Sequence, residues 1–181
     1  MFSRRSTRAF TLVEILVCVV ILGISAAVIV PNMSDRDDLK VSAASRLVMA
    51  DLMYAQNRAI TTQSKHYIIF DTTSATHSYQ LATSVTPLVA ITHPLTKESS
   101  YVATFGTGGT NGLTDVALTS ASFEGKTTIA FDELGVPYYY DPVANTTTAL
   151  STTGGSTIKL TSGKFSMTIT IEPYTGEIKV N

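Results

Sequence analysis

From Phe10 to Val30 the chain runs for twenty-one residues with a single charged side chain, Glu14. As an α-helix rising about 1.5 Å per residue, such a run reaches about 31 Å, which matches the roughly 30 Å hydrocarbon core of a bilayer. Arg4, Arg5 and Arg8 stand just before it, and residues 1–9 hold no acid. Cations flanking an apolar span stay on the cytoplasmic side, so the sequence predicts a single crossing with its amino end inside and residue 32 onward outside. The competing reading is a secretory signal cleaved near Ser25-Ala26-Ala27. The run is longer than the roughly 7 to 15 apolar residues of such a signal, and it carries a carboxylate near its start. A Glu in an apolar helix costs about 2.5–3.5 kcal/mol at mid-membrane and less near the interface, so Glu14 calls either for a partner or for a place among the headgroups.

The small residues Gly23 and Ser25 would let neighbouring helices approach closely. Cys18 reads as a small apolar filler. As the only cysteine it excludes an internal disulfide and a thiolate zinc cluster. Pro31 has no N–H to donate and disfavours helical geometry at Val30, so a kink or break is expected there.

The string Arg8-Ala9-Phe10-Thr11-Leu12-Val13-Glu14-Ile15-Leu16-Val17 resembles the leader junction of type IV prepilins and type II secretion pseudopilins. The resemblance implies cleavage between Ala9 and Phe10 by a prepilin peptidase, which also methylates the new amino group of Phe10. Ala9 stands where the family has Gly and keeps that position small. It further implies that the amino group of Phe10 pairs with Glu14 of a neighbouring subunit during assembly, two charges that are costly alone in lipid and tolerable together. The implied partners are the peptidase and methyltransferase, other pilins or pseudopilins in a filament, and an inner-membrane assembly platform. The implied location is the bacterial inner membrane, with the carboxyl-terminal part periplasmic.

After a polar stretch from Asn32 to Lys40, helical periodicity resumes. Leu39, Ala43, Ala44, Leu47, Val48, Leu52, Ala55, Ala59 and Ile60 follow the i, i+3, i+4 pattern, with Asp38, Arg46 and Arg58 on the other side. This predicts an amphipathic helix of about five turns lying on a sheet, and with the apolar run a stem kinked near Pro31. The stretch from Ala44 to Ile60, leading into His66-Tyr67-Ile68-Ile69-Phe70-Asp71, resembles the GspH/FimT branch of that family.

Beyond Lys65 the chain is rich in Thr and Ser and holds ten of its eleven glycines. Short alternating runs predict strands at 67–70, 79–82, 88–92, 101–105, 116–123, 128–131, 136–140, 157–160, 165–172 and 177–180. Turns are expected at 71–76, 134–135, 154–155, 162–163 and 174–176, the last closing a carboxyl-terminal hairpin. The expected organisation is a basic leader at 1–9, a transmembrane half-helix at 10–30, an amphipathic half at 31–63 and a β-rich domain at 64–181. The fold class is α+β, a long amino-terminal helix packed on a mostly antiparallel sheet, and the family resemblance adds a pilin-like architecture.

Candidates for chemistry are few. His66, His77 and His93 share no metal-type spacing and read as surface or strand-edge residues. The glycine-rich segment 106–112 lacks the Lys-Ser/Thr pair and following helix of a phosphate loop, and reads as a surface loop. Asp132, Glu133 and Asp141 bracket Tyr138-Tyr139-Tyr140; turn acids explain them as well as calcium would. The three tyrosines put at least one aromatic on each face of a strand, one face for core and the other open to a partner. No nucleophile, general acid–base pair, metal set or cofactor motif emerges, so no enzyme and no cofactor are expected.

The formal net charge of −1 sums a cationic leader and an acidic remainder: ten basic against fourteen acidic residues from Phe10 on. Nucleic acid is therefore not expected as a partner. The reading is a minor pseudopilin of the GspH kind in a type II secretion system. The alternatives are a FimT-like minor type IV pilin acting in pilus assembly or DNA uptake, and a secreted or singly anchored β enzyme. DNA-binding members of the FimT kind carry arginine-rich carboxyl-terminal segments, whereas Thr175-Gly176-Glu177-Ile178-Lys179-Val180-Asn181 holds one Lys and one Glu.

Overall fold

The computed structural model describes residues 10–33, 36–73, 76–106, 108–109, 112–153 and 155–181, without the side chains of residues 28–33. The leader, Ala9 included, lies outside the described residues. The chain divides into two compact units, Met1–Arg36 and Asp37–Asn181.

The first unit is one helix, α1 (Leu12–Met33), of 22 residues. Its length is about 33 Å at 1.5 Å per residue. Every side chain described from Phe10 to Ala27 is exposed, among them Phe10, Leu12, Ile15, Leu16, Ile21 and Leu22. Over those side chains no helix is long and apolar enough to cross a membrane; the described stretch stops at Ala27, while the helical backbone continues to Met33. A kink or break was expected at Pro31, and no break falls there: α1 passes through Pro31 to Met33, and the next helix begins at Asp37. Proline holds φ near the helical value, so a final turn can be completed after it despite the missing N–H.

The second unit opens with α2 (Asp37–Thr62), whose first turn carries Asp37 and Asp38. Carboxylates there face the partial positive charge of the helix start. Val41, Ala44, Ser45, Val48, Asp51, Leu52, Ala55 and Ala59 are buried along one face. That face is rotated from the expected one. Leu39 and Ile60 remain exposed, at 63% and 42%, and Ala43 also points outward. Val41 and Asp51 take inward places because their spacing from Ala44, Val48, Leu52, Ala55 and Ala59 fits a 3.6-residue repeat better than that of the more apolar Leu39.

Among the described residues eleven strands follow: β1 (His66–Asp71), β2 (Ser78–Val85), β3 (Leu88–Ala90), β4 (Tyr101–Thr104), β5 (Ala117–Phe123), β6 (Thr128–Phe131), β7 (Pro137–Asp141), β8 (Thr146–Ala149), β9 (Ser156–Ser162), β10 (Phe165–Ile171) and β11 (Ile178–Val180). They form two sheets. The larger has the order β3-β2-β1-β6-β7-β8, with β4 also on β2; the smaller has the order β11-β10-β9-β5. All pairings are antiparallel. β3 and β4 share one edge of β2, β4 along Ser78–Leu81 and β3 from Ala82 onward. The sequence reading missed β8: its residues, Thr-Thr-Thr-Ala, show no apolar alternation, because an exposed edge strand does not need it.

α2 lies against both sheets, touching β1 and β6 of the larger and β9, β10 and β11 of the smaller. Leu52, Val48 and Ala55 pack there with Ile68, Phe70, Ile129, Phe131, Ile158 and Leu160. Phe70 bridges the sheets, its ring centroid 5.5 Å from Tyr79 and 5.6 Å from Phe123. Gln56 ties two turns to the helix by donating from Nε2 to Gly135 O at 2.9 Å and Gly176 O at 3.4 Å. Those turns, with the one at Ser162-Gly163, fall where the glycines predicted them; Gly135, at φ +80°, leaves no room for a Cβ beside Ile60. The closing hairpin pairs Ile171 with Ile178 across Pro173–Gly176.

The rotated face of α2 is open to a direct check. Leu52→Ala empties a fully buried site and is expected to cost about 3 kcal/mol, while Leu39→Ala costs less than about 0.5 kcal/mol. Denaturant unfolding of both variants of the full chain in mild detergent compares them, and equal losses would contradict the observed register.

Candidate functional site

The amino end of α1 is built by Thr11 and Glu14. Glu14 N–H donates to Thr11 Oγ1 at 3.2 Å, and Thr11 N–H donates back to Glu14 Oε2 at 3.4 Å. Thr11 O accepts the N–H groups of Glu14 and Ile15 at 3.1 and 3.2 Å. This is a capping box: a Thr before the helix and a Glu three residues on satisfy each other's free amide, and the carboxylate sits at the positive end of the helix. Glu14 thus has a partner within its own chain, a role the sequence reading did not assign although the spacing Thr-x-x-Glu announces it. Phe10 precedes the cap with its side chain 75% exposed. The geometry leaves the residue after the proposed cleavage point accessible and the carboxylate fixed four positions on. Cys18 is exposed on the same helix.

A second cluster lies inside the β-domain unit, and sequence reasoning missed it. Asp51, buried at 5% exposure, accepts Tyr79 Oη–H on Oδ2 at 2.5 Å and Tyr101 Oη–H on Oδ1 at 2.6 Å. The Tyr101 ring stands edge-on to Tyr54 at 6.0 Å and to His93 at 4.2 Å. Burial pushes the Asp51 carboxyl above its ordinary 3.8, against the pull of the two phenols and of His93. Burial likewise holds both tyrosine hydroxyls well above 10. An acid at a core position of a helix carries no sign in sequence of which hydroxyls will reach it, because Tyr79 and Tyr101 arrive from distant strands.

The remaining candidates fall into structural roles. His66 was expected at the surface or a strand edge and is buried at 1% exposure. It alternates inward with Ile68 and Phe70 and donates from Nδ1 to Ser64 O at 3.0 Å, so Nδ1 is the protonated nitrogen. Burial pushes its imidazole below 6.5. Asp132 Oδ1 accepts the N–H groups of Leu134 and Val136, and Asp141 Oδ1 accepts that of Val143 while Oδ2 pairs with Lys126 at 2.9 Å. Both work as turn acids. Among the described residues no group of three or more His, Cys, Asp or Glu is gathered to hold a metal.

Tyr139 packs on the core, and Tyr138 lies under Lys65 Nζ at 5.3 Å. Tyr140 takes the covered side. It is 4% exposed, with its hydroxyl bonded to Asn145 and Thr86 and its ring against Tyr67. The segment 106–112 lies partly outside the described residues.

The Asp51 cluster makes two linked expectations. Asp51→Ala leaves two buried phenols without an acceptor and costs about 2–4 kcal/mol; Asp51→Asn, whose amide accepts from one phenol and donates to the other, costs about 1 kcal/mol. Because the folded state holds the Asp51 proton more tightly than the unfolded chain, its contribution is full below about pH 3.8 and is lost as pH rises through the raised folded value. The stability advantage of the wild type over Asp51→Asn therefore shrinks from about pH 4 to about pH 7 in denaturant melts; an advantage that grows with pH would contradict the assignment.

Residues 4–30 match the family described as the prokaryotic N-terminal methylation motif. No curated protein and no solved structure matches the chain. The match covers Phe10, the Thr11–Glu14 cap and the apolar body of α1, all within the first compact unit. That motif indicates a type IV pilin-like protein, a pilin or a pseudopilin, processed by a prepilin peptidase and assembled with other pilins into a filament.

Proposed function

We propose that the chain is a minor pseudopilin of the GspH kind, anchored in the inner membrane by residues 10–30 and assembled into a short periplasmic filament that assists protein export. The observation that carries this reading is Glu14 at the capped start of a helix whose described side chains are otherwise uncharged, mostly apolar and exposed. Exposed apolar surface of that extent needs a cover, and lipid followed by neighbouring helices provides one. The anchor spans the apolar run and the backbone of α1, about 33 Å long, enough for a bilayer. Prepilin peptidase cuts between Ala9 and Phe10. The freed, methylated amino group of Phe10 then seeks a carboxylate, and Glu14 of a neighbouring subunit supplies it. The β unit beyond Asp37 has its own core and stays outside the membrane as a folded body.

The reading favours export over DNA uptake on charge. Lys179, the one cation of the closing hairpin, is held by Glu172 at 3.3 Å and Glu177 at 3.2 Å, so that segment offers no free positive charge to phosphate.

Mass spectrometry of the mature chain is expected to find N-methyl Phe10 at the amino terminus; a start near Val28 would mean an ordinary secretory signal. Docking and capping by Glu14 can be separated by two substitutions. Glu14→Gln keeps an acceptor for Thr11 N–H and removes the charge, whereas Thr11→Val keeps the charge and removes a cap bond worth about 1 kcal/mol. Recovery in the sheared filament fraction is expected to fall about tenfold or more for Glu14→Gln and to stay near wild type for Thr11→Val. The reverse order would reduce Glu14 to a helix cap.

A further inference from the structure

The turn between β3 and β4 is closed by a histidine ring. His93 Nδ1 accepts the backbone N–H groups of Leu95 at 3.2 Å and Thr96 at 3.1 Å, and Pro94 between them has no N–H to satisfy. The imidazole nitrogen takes the place that a Ser or Asp oxygen occupies at a helix start. Two further bonds close the same turn without the ring: His93 N–H to Glu98 O at 2.9 Å and Lys97 N–H to His93 O at 3.0 Å. The other side of the ring stands against Tyr101, centroids 4.2 Å apart at 70°, and Tyr101 reaches Asp51 on α2. His93, Asp51 and Tyr101, with Leu47, Leu95 and Val102, line a cleft of about 320 Å³.

The protonation state that this arrangement requires follows from the inventory of an imidazole. The neutral ring has one acceptor, and here that acceptor is Nδ1, with the proton on Nε2. The imidazolium carries a proton on both nitrogens and has no acceptor. Facing the N–H groups of Leu95 and Thr96, a protonated Nδ1 would set three donors against one another. The charged and titratable groups around the ring are Asp51 from α2, Tyr101 from β4, and Lys97 and Glu98 from the turn itself, with Tyr54 of α2 behind Tyr101. The two carboxylates favour a cation that has turned away from the amides, and Lys97 opposes it.

We infer that His93 is a proton-operated latch: neutral, it caps the turn beside the Asp51 cleft, and protonated, it releases Leu95 and Thr96 and opens the cleft between α2 and β4.

Amide hydrogen exchange of the full chain in mild detergent at about pH 7.5 and about pH 5, corrected for the intrinsic pH dependence of exchange, tests this. Protection of Leu95 and Thr96 is expected to fall about tenfold on acidification, the order of one or two net hydrogen bonds. Protection of His93 and Lys97, whose acceptors do not titrate, falls less. His93→Asn places Oδ1 where Nδ1 stood and cannot be protonated, so its turn stays protected at both pH values. His93→Ala loses the protection at both. Unchanged wild-type protection between the two conditions, or the same fall in His93→Asn, would overturn the latch.

Discussion

A carboxylate sits in the seam between α2 and the larger sheet, and its surroundings have to satisfy it. Asp51 is packed among Val48, Leu52 and Ala55, where a charge without hydrogen bonds would cost several kcal/mol. Two phenols reach it, one from β2 and one from β4. Those strands pair with each other along Ser78–Leu81, so the carboxylate fixes the helix against one specific register of that pair. A slip of one residue would turn both hydroxyls to the opposite face and leave the acid alone. The raised carboxyl and the raised tyrosines express the same fact: the site prefers to keep its protons.

The two units of the chain solve opposite problems. The β unit buries a continuous core beneath α2 and between two sheets, with Phe70, Tyr79, Phe105 and Phe123 as its aromatic centre. The described side chains of α1 bury nothing, and their apolar surface is covered only by what lies outside the chain. The capping box at Thr11 and Glu14 fits that condition, because a helix without tertiary packing depends on its local bonds to begin where it does. It also keeps the carboxylate at the helix end, where a neighbouring amino group has access to it under the proposed function.

Much of this was legible from residues alone. Two-residue alternation with glycine punctuation located ten of the eleven strands and the closing hairpin, because half-buried strands and tight turns impose those patterns locally. β8 escaped because an edge strand of threonines buries too little to leave a pattern. The centre of the α2 face was read correctly at Ala44, Val48, Leu52, Ala55 and Ala59, while Leu39, Ala43 and Ile60 were read as inward and are exposed, and Val41, Ser45 and Asp51 are buried in their stead. His66 was read as more exposed than it is, since alternation says that two faces exist without saying which will be covered.

By itself the sequence determined the amino-terminal methylation motif, the apolar helix with its lone Glu14, the amphipathic helix after it and the run of antiparallel strands. Each of these depends on neighbours within a few residues, through charge, periodicity or turn chemistry. Tertiary structure alone decided the division into two sheets, the seat of Asp51 between Tyr79 and Tyr101, and the edge-on contact of His93 with Tyr101. The reason is distance along the chain: Asp51 lies 28 residues from Tyr79 and 50 from Tyr101, and no local pattern encodes which hydroxyl will meet a buried acid once the strands have paired.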